Sequence, residues 1–205
     1  ADGREIYARN ADLRLIPASN QKILSCAYAI GVLGPDATLK TKIWKRPDGI
    51  LVHAQGDPSL TTAILKNAAS KLALPDGSFV HVFQDFRVGH PYSWEWDDLP
   101  FTYAAPVTAL SVDRGAWTLQ SDKGKVIDPS LAVGVTVHRG RVTGRVGVSY
   151  DPSAARVVVN GSLSNDAAQL GRFSLPDPDL TAARLLGGRF RSEEHTSELQ
   201  SPCNL

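Results

Sequence analysis

The sequence predicts an α+β fold, with one apolar helix near the N-terminus and a long region of mostly short strands after it. The helix prediction rests on the run from Ile23 to Leu33, which is apolar on nearly every side and is therefore typical of a buried helix. Gly34-Pro35 marks its end. The strand prediction rests on short β-branched and apolar runs that recur between turn signals. With 205 residues, the chain can form one or two domains with a real core.

The region after this helix is predicted to begin with a β-hairpin. Residues 40–45 and 50–55 flank Arg46-Pro47-Asp48-Gly49, which is typical of a type I or II turn. Apolar residues at helical spacing predict two further helices, at residues 60–72 and 180–186. Further strands are predicted at residues 79–86, 104–112, 116–120, 131–137, 141–150 and 156–160.

Composition and charge exclude several classes of protein. The formal net charge is +1 and 21% of the residues are charged, so nothing indicates a nucleic-acid-binding protein. No apolar run approaches the length of a transmembrane segment. The chain shows no signal peptide, and we interpret its N-terminus as processed or truncated. Four histidines lie far apart without metal-ligand spacing, so no metal site is predicted: His53, His81, His90 and His138.

A Ser-x-x-Lys pair stands at the start of the apolar helix. If Ser19 opens the helix, Lys22 follows one turn later on the same face. A serine hydroxyl becomes a nucleophile when a neighbouring base takes its proton, and a lysine in a dry cleft can serve as that base. The structural alternative is a serine N-cap beside a solvated lysine.

Several segments in register carry a resemblance to a known family. They are Leu15-Ile16-Pro17-Ala18-Ser19-Asn20-Gln21-Lys22, Gln55-Gly56-Asp57-Pro58-Ser59, Trp94-Glu95-Trp96-Asp97-Asp98, Tyr103-Ala104-Ala105-Pro106-Val107 and Val159-Asn160-Gly161-Ser162-Leu163. Over about residues 1–190 the chain resembles the class C penicillin-binding proteins, which are D-alanyl-D-alanine carboxypeptidase/endopeptidases of the bacterial cell wall.

The resemblance implies a fold, a reaction and a location. Residues 1–45 would be the opening part of a serine transpeptidase/β-lactamase-like domain, and residues 46–190 would be inserted β-rich domains. Ser19 would be the acylating nucleophile and Lys22 its base, with no cofactor. The partners would be peptidoglycan stem peptides and cross-links, and β-lactam antibiotics. The location would be periplasmic or otherwise extracytoplasmic.

Asp85 is a further candidate for substrate binding. It follows the predicted strand at residues 79–86, where the resemblance implies an aspartate that meets the ammonium group of a stem peptide. The structural alternative is a turn aspartate at the end of a strand. We favour this alternative because the following residues, Phe86-Arg87-Val88-Gly89-His90, depart from the family's usual sequence.

The chain lacks two motifs that such an active site needs, Ser-x-Asn and Lys-Thr-Gly. Ser121-Asp122-Lys123-Gly124 is interpreted as a hairpin turn, Arg141-Val142-Thr143-Gly144 as a strand and a bend, and Ser162-Leu163-Ser164-Asn165 as a loop. The chain therefore carries half an active site, and we expect it to be inactive by itself. The resemblance also implies that the sheet against which the apolar helix packs is missing, so we expect this helix to expose apolar surface. The alternatives are a β-lactamase and a non-catalytic wall-binding or penicillin-sensing module.

The segment at residues 191–205 departs from the pattern of what precedes it. It is polar and aperiodic, and we interpret it as the translation of a sequencing adapter joined to a truncated gene. We expect it to be disordered, without packed contacts or regular backbone partners.

Overall fold

The computed structural model describes residues 2–92, 94–127 and 135–192, and the chain divides into two compact units between Thr38 and Leu39. The first unit holds a 3₁₀ turn at Ala18–Asn20 and helix α1, Gln21–Leu33. Helix α1 ends where the Gly34 N–H donates to the Ile30 carbonyl at 2.9 Å, as predicted.

Helix α1 is not buried as its apolar run by itself indicates; it exposes apolar surface, as expected for a chain in which the covering sheet is missing. Each of its residues is exposed, and apolar side chains such as Ile23 and Tyr28 are 68% and 74% exposed. The reason is that the described residues of the first unit form no strand and no other α-helix, so no second element there can cover the apolar side chains of α1.

The second unit begins with a four-stranded sheet in the order β1-β2-β3-β12. The predicted hairpin is confirmed: it joins antiparallel strands β1, Thr41–Arg46, and β2, Gly49–Ala54. Strand β3, Phe79–Gln84, runs parallel to β2. Strand β12, Arg189–Ser192, runs parallel to β3 on its other side.

Helices α2, Thr62–Leu72, and α3, Pro178–Leu185, pack with this sheet in one hydrophobic core. Each helix begins at a side-chain cap. Thr61 Oγ1 accepts from the Ile64 N–H, and Asp177 Oδ1 accepts from the Leu180 N–H. The core contains Ile50, Val52, Leu65, Val80, Val82, Ala182 and Leu186.

A second core lies between two three-stranded sheets, ordered β11-β6-β7 and β8-β10-β9. The first contains β6, Ala116–Asp122, β7, Lys125–Ile127, and β11, Ala168–Ser174. The second contains β8, Thr136–Arg139, β9, Gly147–Asp151, and β10, Arg156–Asn160. Trp117, Leu119, Tyr150, Val157, Val159 and Leu175 form this core. The α+β prediction is therefore confirmed.

Two predicted strands are much shorter than expected. Within residues 104–112 only β5, Val107–Thr108, pairs, with β4, Arg87–Gly89. Pro106 has no N–H to donate, which limits a ladder there. Within residues 141–150 only β9 forms, because residues 141–146, which include Gly144 with φ of +90°, are irregular. The predicted strand at 131–137 begins outside the described residues.

The expectation of no regular structure from Arg191 is wrong at its first two positions. Arg191 and Ser192 pair with His81 and Val82 of β3 as part of β12, because the parallel ladder to β3 extends through them. Residues 193–205 lie outside the described residues. The predicted domain boundary after residue 45 falls within β1 and stays a prediction.

No helix in the described part of the chain is both long and apolar enough to traverse a membrane.

Candidate active site

Ser19 lies in the 3₁₀ turn that leads directly into α1. Neither this turn nor α1 has a side-chain N-cap, so the Ser19 hydroxyl does not serve as the helix cap that the structural alternative predicts. Ala18, immediately before Ser19, has a φ of +45°. Such a conformation costs an L-residue energy, and residues held in it cluster at functional sites.

The two residues of the Ser-x-x-Lys pair lie together, as predicted. Lys22 Nζ donates to Ser19 Oγ at 3.4 Å, a long hydrogen bond between residues three apart on one helical face. The positive end of the α1 dipole lies at the same place and favours negative charge on Oγ. Proton transfer from the hydroxyl to the amine needs a separation of about 2.6–3.2 Å, so the pair is placed for it but must come slightly closer.

The described residues do not enclose this pair. Ser19 and Lys22 are both exposed, whereas a lysine acts as a base most readily where burial disfavours its charged form. The first unit therefore brings Ser19 and Lys22 together but does not give them dry surroundings.

Asp85 belongs to the second unit and follows the last residue of β3. Its N–H donates to the Ala54 carbonyl at 3.1 Å, which continues the β2–β3 pairing by one residue. Its side chain is 43% exposed, and Oδ1 contacts His53 Nε2 at 2.5 Å. The position fits the strand-ending alternative, and it also presents a carboxylate to solvent.

His53 is the residue that sequence reasoning missed. The sequence places it 32 residues before Asp85, and only the parallel pairing of β2 with β3 brings them together. Its ring stacks on Trp44 at 6.1 Å between centroids and meets the Phe83 ring at 4.9 Å. The predicted hairpin could have placed His53 opposite Lys42, but the β2–β3 register had no signal in the sequence.

The three segments that partly match the missing motifs are turns or irregular chain. Lys123 and Gly124, with φ of +49° and +70°, form the turn between β6 and β7, as predicted. Residues 141–144 are irregular, so the bend is found without the strand, and residues 162–165 form the predicted loop. No group of three or more His, Cys, Asp or Glu side chains with metal-binding geometry occurs in the described ranges.

Comparison of the chain with known protein families agrees with the family resemblance predicted from the sequence motifs. Residues 1–198 match the D-Ala-D-Ala carboxypeptidase 3 (S13) family, including part of the segment that we interpret as a tail. The chain belongs to this family.

A curated relative and two solved structures are similar to the chain. A D-alanyl-D-alanine carboxypeptidase of Actinomadura sp. (strain R39) is 28% identical in an alignment that covers 56% of this chain and 24% of that protein. Penicillin-binding protein 4 of Haemophilus influenzae is 18% identical with a TM-score of 0.60, covering 93% of this chain and 49% of that one. The same protein complexed with a β-lactam gives a TM-score of 0.57 over 91% and 48%. These structural likenesses concern the fold, and the S13 chain spans about half or less of each relative.

Proposed function

We propose that this S13 chain is the opening part of a serine D-Ala-D-Ala carboxypeptidase/endopeptidase that acts on peptidoglycan peptides in the periplasm or another extracytoplasmic space. The observation that carries the proposal is the contact between Ser19 Oγ and Lys22 Nζ at the start of α1, in a chain of this family.

In the proposed reaction, Lys22 takes the proton of Ser19 while Oγ attacks the carbonyl carbon of the penultimate D-alanine. The peptide bond to the terminal amino acid breaks, and the leaving amine takes the proton that Lys22 received. An ester on Ser19 remains, and water hydrolyses it and restores the hydroxyl. A β-lactam reacts at the same atom, because opening of its ring amide leaves an ester on Oγ. No step needs a cofactor.

Other parts of the reaction need groups that this sequence does not contain. It has no Ser-x-Asn and no Lys-Thr-Gly, which in this kind of site assist proton transfer, bind the substrate carboxylate and complete the oxyanion hole. Loss of one oxyanion donor alone costs about 10²–10³ in rate, so the 205-residue chain should be nearly inactive.

Asp85 has a proposed role in substrate binding. Its solvent-facing carboxylate would accept from the ammonium group of a stem peptide, and its position at the end of β3 supports this. This proposed role does not depend on Ser19, so it can be disproved while the proposal for Ser19 still stands.

The exposure of the Ser19–Lys22 pair and the missing motifs favour a second candidate, a non-catalytic wall-binding or penicillin-sensing module. A polypeptide that continues the gene past Arg191 distinguishes the two. If it carries both missing motifs and releases D-alanine from a stem pentapeptide, it is an enzyme. If it binds penicillin or cell wall without releasing D-alanine, the catalytic proposal is wrong.

A further inference from the structure

We propose that His53 is a positioning residue for Asp85, and that its imidazole N–H holds the carboxylate in place to accept a primary ammonium group. The inference rests on the proposed function, which gives Asp85 that ammonium group as its ligand.

The backbone fixes where the two side chains meet. Strands β2 and β3 run parallel with His53 beside Phe83, and Asp85 follows two residues later. The Asp85 N–H bonded to the Ala54 carbonyl holds the carboxylate at this end of the sheet. The imidazole of His53 therefore reaches a carboxylate whose backbone is already anchored.

The contact uses one carboxylate oxygen and leaves the other. His53 Nε2 lies 2.5 Å from Oδ1, and because an ionised carboxylate can only accept, Nε2 must carry the hydrogen. Oδ2 has no hydrogen-bond partner among the described residues. A ligand ammonium could therefore bind Oδ2 without displacing the histidine.

The surroundings make His53 a fixed support. Its ring lies against the rings of Trp44 and Phe83, and its side chain is 14% exposed, compared with 43% for Asp85. Aromatic contacts on the ring restrict the orientation of Nε2. The histidine is thus the less exposed partner, and the carboxylate faces outward where a ligand can reach it.

The test uses the 205-residue chain with ¹³C-labelled histidine and two small probes. D-Alaninamide carries a primary ammonium, and N-acetyl-D-alaninamide lacks it. We expect D-alaninamide to shift the His53 resonance and the amide signals near Asp85, and the acetylated probe to leave them unchanged. Asp85→Asn should abolish the response.

Variants of His53 separate positioning from general structural effects. His53→Phe, which keeps a ring but loses the donor, should weaken binding about tenfold, as expected for loss of one charge-assisted hydrogen bond. His53→Gln keeps an N–H donor and should bind within about twofold of the wild type. His138→Phe, an exposed histidine on β8, is the matched control and should change nothing.

Rescue by glutamine is the readout that a purely structural role would not affect, because glutamine restores an N–H donor without restoring the ring. Loss of binding in folded His53→Gln would overturn the proposal, even if His53→Phe does not fold. Wild-type affinity in folded His53→Phe, or no binding by the wild type, would overturn it as well. Each of these results is separate from labelling of Ser19, which tests the proposed function.

Discussion

At the scale of single residues, the Ser-x-x-Lys spacing is sufficient to bring Ser19 and Lys22 together. Three residues along a helical turn place Nζ 3.4 Å from Oγ, and no distant part of the chain is needed. This part of the site could therefore be predicted from the sequence. The dry surroundings that would complete it depend on tertiary packing, which a local motif cannot encode.

Replacing Lys22 tests whether the amine acts as the base. In a polypeptide that continues through the missing motifs, Lys22→Ala should lower the rate of acylation by fluorescent penicillin by about 10²–10⁴, the usual worth of a positioned base. Lys66→Ala, which removes an exposed lysine from α2, is the matched control. An acylation rate within about twofold of wild type in Lys22→Ala would exclude the lysine as base, since that is far below the expected contribution of a base.

At the scale of elements, local signals predicted the parts with strong patterns and missed those fixed by distant partners. The hairpin β1–β2, helix α2 and strand β10 form where the sequence predicts them. Strand β11 was missed because Ala168–Ser174 has no β-branched residue and its register shifts between Gln169 and Gly171. Only pairing with β6 makes this segment a strand.

Gly49 lies where the backbone of β2 comes close to that of β3, and replacing it tests this close approach. Its φ is +150°, and a Cβ there would lie 2.0 Å from the Phe79 carbonyl oxygen. Gly49→Ala should therefore lower the free energy of unfolding by about 2–4 kcal/mol in urea titrations. Gly77→Ala, at φ +85° with no atom within 4 Å of the new Cβ, should cost only about 1 kcal/mol. Equal costs for the two variants would contradict the close approach.

Asp179, in helix α3, should make the free energy of unfolding depend on pH. Its carboxylate is fully buried, Oδ2 accepts from Gln84 Nε2 at 2.8 Å, and Arg87 Nε lies 3.3 Å away. Oδ1 has no hydrogen-bond partner among the described residues. Burial raises the pKa of Asp179 to about 6, although Arg87 and Gln84 oppose the shift.

The direction of the effect follows from this raised pKa. The native state binds the proton more tightly than the unfolded chain, so the contribution to stability is complete below the unfolded value of 3.8 and is lost as pH rises through about 6. The free energy of unfolding of the wild type, relative to Asp179→Asn, should therefore increase by about 2–3 kcal/mol from about pH 7.5 to 4. Asp76→Asn, on an exposed turn, is the control. A difference that stays constant with pH would show that Asp179 does not titrate as the burial implies.

At the scale of the whole molecule, the two units differ in what stabilises them. No described residue of the first unit is buried, whereas the second contains two hydrophobic cores. An isolated helix of the length of α1 is marginal in water. The second unit should therefore account for nearly all of the cooperative stability.

Deletion of residues 1–38 tests this division. The remaining chain should unfold with a urea midpoint close to that of the full chain, because the deleted part contributes no buried apolar surface. The deletion should also improve solubility, since it removes the exposed apolar side chains of α1. A large fall in the midpoint would show that the first unit stabilises the second.

The central claim is that Ser19 is the residue that penicillin acylates in the protein to which this S13 chain contributes. Trypsin cleaves after Arg14 and Lys22, so residues 15–22 form one peptide in which Ser19 is the only hydroxyl. After reaction of the extended polypeptide with penicillin, mass spectrometry should find the penicilloyl group on this peptide. The adduct should disappear in Ser19→Ala and should be nearly absent from the 205-residue chain. An adduct on a different peptide, or one that persists in Ser19→Ala, would contradict the account.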